Sequence, residues 1–218
     1  AISAGQVGIR QIVDDQVVLE APIATTSFST PVADVMLWDI ESPKVYEVTT
    51  QLLYQGQVVD EKRVTVGFRE ALFQKDGFYL NGRKVRIRGL NRHQSYAYVG
   101  YAMPESMQRL DAKILKEELA VNAVRTSHYP QSHYFMDACD RLGLLVFTEM
   151  PGWQHIGGQA WQDQAVENIK DMIVQYRNHP SIILWGVRIN ESQDNDAFYE
   201  RTNATAHALD DTRQTGGV

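Results

Sequence analysis

The sequence predicts an antiparallel β-sandwich followed by an α/β unit built on parallel strands, and three observations carry that prediction. Residues 1–67 hold β-rich runs separated by turn residues. From Phe73 onward, apolar strands alternate with stretches of helical period. Those later strands are continuous apolar runs, as parallel strands buried on both faces require, and lack the alternation of a half-exposed sheet.

In the first part VGIRQIV, QVVLEA and VYEVTTQLLY read as strands, and Gln55-Gly56 turns the last of them into VVDEKRVTV. Pro31 and Pro43 interrupt the segment SFSTPVADVMLWDIESPKVY, which reads as loop and edge because proline cannot donate to a ladder. About four or five strands are present against the roughly seven of an immunoglobulin-like sandwich, so the sandwich is expected to be truncated at its start.

The second part opens with a hairpin at Asn81-Gly82, a pair suited to a type I′ turn, and the strand KVRIRGLN. Pro104 and Glu105 start a helix whose apolar residues are Met107, Leu110, Ile114 and Leu119. After the strand AVRTS, Ser132 N-caps a helix with Phe135, Met136, Cys139 and Leu142 on its apolar face, and Gly143 ends it. The strand LLVFTE, the loop MPGWQHIGGQ and a helix bearing Val166, Ile169, Ile173 and Tyr176 follow. The strand IILWGV, a helix with Phe198, Ala206 and Leu209, and the start of a fifth strand at Gln214–Val218 complete the pattern. Half a doubly wound sheet and half a (β/α)8 barrel both fit it. No G-x-G-x-x-G follows any strand, which argues against dinucleotide binding.

A formal net charge of −6 provides no basic field for phosphates, so nucleic acid is not an expected partner. No run approaches the roughly 18 to 20 apolar residues of a membrane span, and residues 1–12 lack a basic stretch followed by an apolar one. The single cysteine, Cys139, excludes an internal disulfide framework and belongs to a core face. Neither G-x-S-x-G nor a P-loop occurs.

Barrels carry function at the C-terminal ends of their strands, which singles out Arg92-His93, Arg125 to Tyr129, Glu149 to His155, and Asn190-Glu191. Asn190-Glu191 either caps the next helix or presents a carboxyl beside an apolar wall including Trp185, which would raise its pKa toward use as a general acid. His128 and Tyr129 are either satisfied structural groups or fixed donors for a hydroxyl-rich ligand, and Arg125 either a buried ion-pair member or the orienter of a catalytic carboxylate. Trp153 offers an aromatic face for a sugar ring or ordinary loop packing. Glu149, His155 and Glu191 lack the compact spacing of metal ligands, so no metal site is expected.

The stretch NAVRTSHYPQSHYFMDACDRLGLLVF closely resembles the first signature of glycoside hydrolase family 2, matching at Asn122, Arg125, His128, Tyr129, Pro130, Asp140 and Gly143. RNHPSIILWGVRINES resembles that family's acid/base signature, ending in the Asn-Glu pair. LWDIESPKVYEV and VGFRE are similar to the end of the family's immunoglobulin-like domain, and FYLNGRKVRIRGLNRH to its entry into the barrel. The resemblance implies a partial immunoglobulin-like β-sandwich over residues 1–68, then the N-terminal half of a (β/α)8 TIM barrel over 69–218.

By the same resemblance, Glu191 is the acid/base of a retaining glycosidase and Asn190 binds the hydroxyl next to the anomeric carbon. His93, Arg125, His128 and Trp153 line the subsite for the glycone. The nucleophile belongs at the end of strand 7, outside these residues, so the fragment alone is expected to be inactive. GLNRHQ, HYPQSHYF and EMPGW resemble the β-galactosidase branch, which implies a β-galactoside substrate, no cofactor and a full-length homo-oligomer. β-Glucuronidase is the alternative, and a non-catalytic carbohydrate-binding or scaffolding half-barrel is the rival class.

Two departures stand out. The family's W-S-x-G-N-E is here WGVRINE, with Arg188 and Ile189 in place of a glycine and its neighbour. Magnesium-binding relatives have E-A-N-I-E-T-H after strand 3, where this chain has EMPGWQH, so Trp153 replaces a liganding carboxylate.

Overall fold

Residues 6–23 and 27–218 are described by the computed structural model, so the reading of residues 1–12 falls partly outside it. Strands β1 (Val7–Val13), β2 (Gln16–Pro22), β3 (Tyr46–Tyr54) and β4 (Gln57–Val66) form one antiparallel sheet in the order β2-β1-β3-β4. Gln55 and Gly56 both take positive φ, 50° and 78°, the twist a tight hairpin needs. The proline-interrupted segment forms no strand before Tyr46, the first residue of β3. It does contribute Trp38, which is fully buried and donates its indole N–H to the Asp140 carbonyl at 2.7 Å.

A meander of β5 (Ala71–Gln74), β6 (Gly77–Leu80) and β7 (Arg83–Val85) follows, with Asn81 and Gly82 at φ 51° and 76° as the turn pair requires. The expected single strand KVRIRGLN is broken. β7 stays with the meander, and β8 (Gly89–Arg92) opens the parallel sheet. Asn122 replaces the lost ladder across the break, accepting from Arg88 N and donating to Arg86 O.

The parallel sheet continues with β9 (Ala123–Thr126), β10 (Leu145–Glu149), β11 (Ile182–Gly186) and β12 (Gln214–Gly216), in the order β12-β11-β10-β9-β8. Helices α1 (Glu105–Lys113), α2 (His133–Leu142), α3 (Gln159–Tyr176) and α4 (Asp196–Leu209) connect the strands, and a π-helical turn at Ile114–Glu118 extends α1. Strand order follows chain order without reversal. A doubly wound sheet reverses at a switch point, so this is the start of a barrel.

One core lies between strands and helices, with Val124, Val146, Ile182 and Trp185 against Phe135, Ile169, Ile173 and Phe198. A second closes the N-terminal ends of the strands, where Ala123, Leu145 and Ile183 meet Trp38, Phe78 and Leu80. The opposite ends stay open. Ser132 caps α2 by accepting from Tyr134 N, and Gly143, at φ 71°, ends it where a Cβ would fall 2.4 Å from Ile40 O. The apolar face expected for α1 is displaced: Gln108, Ala112 and Leu115 are buried, while Leu110 and Leu119 are exposed. Gln108 takes an interior position because its carbonyl accepts from buried Arg92 at 2.8 Å. Among the described residues no helix is long and apolar enough to cross a membrane.

Candidate active site

Strand register decides which side chains reach the open end. Arg125, Phe147 and Leu184 share a row and line an apolar cavity of about 290 Å³ on the concave face. The next row, Thr126, Thr148 and Trp185, points the other way, into the helix layer. Trp185 therefore forms no wall beside Glu191, contrary to expectation. Its indole donates to Asp210 at 2.9 Å, and Arg213 lies over its ring.

One row further, Glu149 faces inward opposite Gly186 and is 1% exposed. Its carboxylate accepts from Arg125 Nε at 3.0 Å and Nη2 at 2.8 Å, and His128 Nδ1 lies 2.8 Å from its other oxygen. Arg125 Nη2 also donates to Asn190 Oδ1 at 2.7 Å. Asn190 is 4% exposed, and its carbonyl accepts from Gln154 N, tying the loop after β10 to the loop after β11. Glu191 follows in the left-handed region, at φ 54°.

The Glu191 carboxylate is exposed and accepts from Trp153 Nε1 and Gln154 Nε2, both at 3.0 Å. Those two hydrogen bonds, with the His128 ring a smaller contributor, hold its pKa below the ordinary carboxylate range. The expected upward shift is absent because an exposed carboxylate with N–H donors is stabilised in its charged form. His93 is exposed, with its ring edge-on to His128 at 5.3 Å. Tyr129 is half-buried and accepts from Gln94 N, and burial raises its phenol pKa.

The six residues that the resemblance assigns to the site, His93, Arg125, His128, Trp153, Asn190 and Glu191, thus lie in one continuous network. Arg92 does not join them. It turns outward to Asp111, Gln108 and Gln131 and lies 4.0 Å above the Phe135 ring. The sequence reading gave no role to Glu149 or Gln154, although both stand at the strand-3 end it singled out. His155 packs edge-on against Trp161 instead of turning to Glu191. Among the described residues the one cluster with metal-type donors close together is Asp137, Asp140 and His179. There Asp140 is already hydrogen-bonded by Ser181 N and Oγ and by the His179 ring.

The sequence matches the model of the glycosyl hydrolases family 2 TIM barrel domain over residues 72–216, and a second glycosyl hydrolases family 2 model over residues 4–69. This chain belongs to glycosyl hydrolase family 2. It is 60% identical over 185 residues to a beta-galactosidase of Thermoanaerobacterium thermosulfurigenes, covering 85% of this chain and 26% of that protein. A putative beta-glucuronidase of Formosa agariphila is 38% identical over 192 residues, covering 82% and 23%. Among solved structures, a beta-galacturonidase of Eisenbergiella tayi superposes with a TM-score of 0.87 at 29% identity, covering 98% of this chain and 41% of that one. A beta-glucuronidase of Parabacteroides merdae gives 0.81 at 31% identity, covering 96% and 29%. The chain spans about a quarter of the length of the curated relatives it matches.

Several positions that match the family's first signature are structural here: Asn122 bridges the strand break, Asp140 fixes Ser181 and His179, and Gly143 makes room for Ile40. The two departures from the acid/base signature are absorbed by packing. Ile189 is fully buried beneath Gly152, where a Cβ would fall 2.4 Å from its Cδ1, and Arg188 lies over the Tyr199 ring and pairs with Asp194.

Proposed function

We propose that the chain works within a longer retaining β-glycosidase that cleaves terminal β-galactosides, with Glu191 as its general acid/base. The observation that carries this is the placing of the Glu191 carboxylate at the open strand ends, directly after an Asn190 whose amide is held by Arg125. In the full-length enzyme, once substrate and the remaining barrel bury its carboxyl and favour the neutral form, Glu191 protonates the departing oxygen. A second carboxylate, about 5–5.5 Å away, traps the anomeric carbon as a glycosyl-enzyme, and Glu191 then activates water as base. The family resemblance assigns that nucleophile to strand 7. Asn190, His93, Arg125, His128 and Trp153 hold the glycone, and the sandwich gives way to the barrel at residues 68–69, a boundary supported by the adjoining family matches.

Identity to the beta-galactosidase of T. thermosulfurigenes favours the galactoside, and the likeness to the beta-glucuronidases of Formosa and Parabacteroides makes the glucuronide the second reading. The full-length enzyme is also proposed to be a homo-oligomer. The test is hydrolysis of paired aryl β-galactosides and β-glucuronides by that enzyme, with the first-formed sugar followed by proton NMR. Preference for the galactoside with retained β configuration is expected. An inverted product, a glucuronide preference or no turnover overturns the corresponding part.

Metal removal is expected to change little. Trp153 brings an indole N–H, not a carboxylate, to Glu191, so the position where magnesium-binding relatives carry a hard oxygen ligand lacks one here. Dialysis against EDTA should leave activity within about twofold, since the ligand set a hard cation requires is incomplete. A large loss restored by magnesium contradicts this.

A further inference from the structure

The geometry points to Glu149 as a positioning residue that sets the direction of the Asn190 amide without touching substrate. The inference rests on the proposed contact between Asn190 and the hydroxyl next to the anomeric carbon. A carboxamide has one acceptor edge and one donor edge, and its neighbours decide which way each faces. Arg125 has only donors, so the Asn190 atom 2.7 Å from its Nη2 is the oxygen, and the Asn190 N–H pair must face the other way. The Asn190 main chain is fixed from the other side by Gln154 N, which leaves the side chain little else to choose.

Arg125 holds Asn190 in this way only while it is itself held. Its guanidinium meets Glu149 through Nε and Nη2, a fork that fixes its plane as well as its position. Glu149 is in turn fixed by the His128 ring and by the sheet. Opposite it stands Gly186, where a Cβ would come within 2.2 Å of the Glu149 Cβ, so glycine leaves room for Glu149 where any other side chain would displace it. Glu149, Arg125 and Asn190 form a relay across strands β10, β9 and the end of β11, with the charges of the first two cancelling where Glu149 is buried and Arg125 mostly so.

Hydrogen bonds to the 2-hydroxyl strengthen in the oxocarbenium-like transition state, so a misdirected Asn190 lowers kcat more than it raises KM. Two variants of the full-length enzyme, Glu149→Gln and Asn190→Ala, and their double variant are assayed on an aryl galactoside and its 2-deoxy analogue. With the hydroxyl present, Glu149→Gln is expected to lower kcat by about 100-fold, the effect of losing one preorganised donor. On the 2-deoxy substrate the same change should cost no more than about threefold, and in the Asn190→Ala background it should add no more than about threefold.

Equal losses on both substrates, or losses that multiply in the double variant, overturn the relay and leave Glu149 a packing residue. If Asn190→Ala itself fails to discriminate the two substrates, the hydroxyl contact falls and the role falls with it. Asn190→Ala discriminating while Glu149→Gln does not overturns the relay alone. Should Glu149→Gln fail to fold, Glu149→Asp carries the test. An aspartate keeps the charge but is one methylene shorter, so it cannot hold the Arg125 fork where Asn190 needs it. The same dependence on the 2-hydroxyl is expected of it, and its absence overturns the relay.

Discussion

Replacing Glu191 with alanine in the full-length enzyme is expected to slow galactosides with poor leaving groups by about 10²–10⁴-fold, the usual contribution of a general acid. An activated aryl galactoside should lose far less in glycosyl-enzyme formation, because its leaving group departs without a proton. Deglycosylation then becomes limiting, since the base that activates water is also gone. Azide, which needs no base and fits the space of the lost carboxylate, should restore turnover and give a β-galactosyl azide. The variant is interpretable because the scaffold does not depend on the carboxylate: Trp153 and Gln154 lose an acceptor, while the Gln154 N–H to Asn190 O bond remains. Equal loss on both substrate classes without azide rescue would remove Glu191 from the role.

The 218-residue polypeptide expressed by itself should not turn over any glycoside. It supplies five parallel strands and the carboxylate proposed as acid/base. Glu149, the inward carboxylate of the neighbouring strand, is 1% exposed with both oxygens taken up by Arg125 and His128, so it does not stand free at the open end as a nucleophile. Without a nucleophile, protonation of the leaving oxygen has nothing to trap the cationic centre. The same polypeptide exposes the outer edges of β8 and β12 and an apolar concave face that includes Leu90. Unpaired edges and uncovered apolar surface seek partners. Light scattering is expected to show self-association, relieved by supplying the remaining barrel strands in trans, with activity returning. A monomer that hydrolyses an aryl galactoside unaided contradicts both expectations.

Much of this protein was legible in its sequence because the informative signals are local. Backbone preference alone places the turns at Gln55-Gly56 and Asn81-Gly82, the Ser132 cap and the Gly143 stop. Continuous apolar runs place β10 and β11. Strand-end position and the two signature stretches gathered His93, Arg125, His128, Trp153, Asn190 and Glu191, which the fold brings within one network.

Tertiary structure decided what local signals do not encode, namely which face each side chain takes and which partner it meets. Trp185 looked like a neighbour of Glu191, but the register of β10 with β11 turns it into the helix layer and puts Gly186 opposite Glu149. Gln108 displaced Leu110 from the interior of α1 because a buried Arg92 needed its carbonyl more than the core needed another leucine. The pKa of Glu191 moved down because Gln154 and Trp153 reach it from a different strand end. The first of these outcomes depends on a cross-strand register, where a shift of one position reverses the face of every side chain, and the other two on partners brought together from elements distant in the chain.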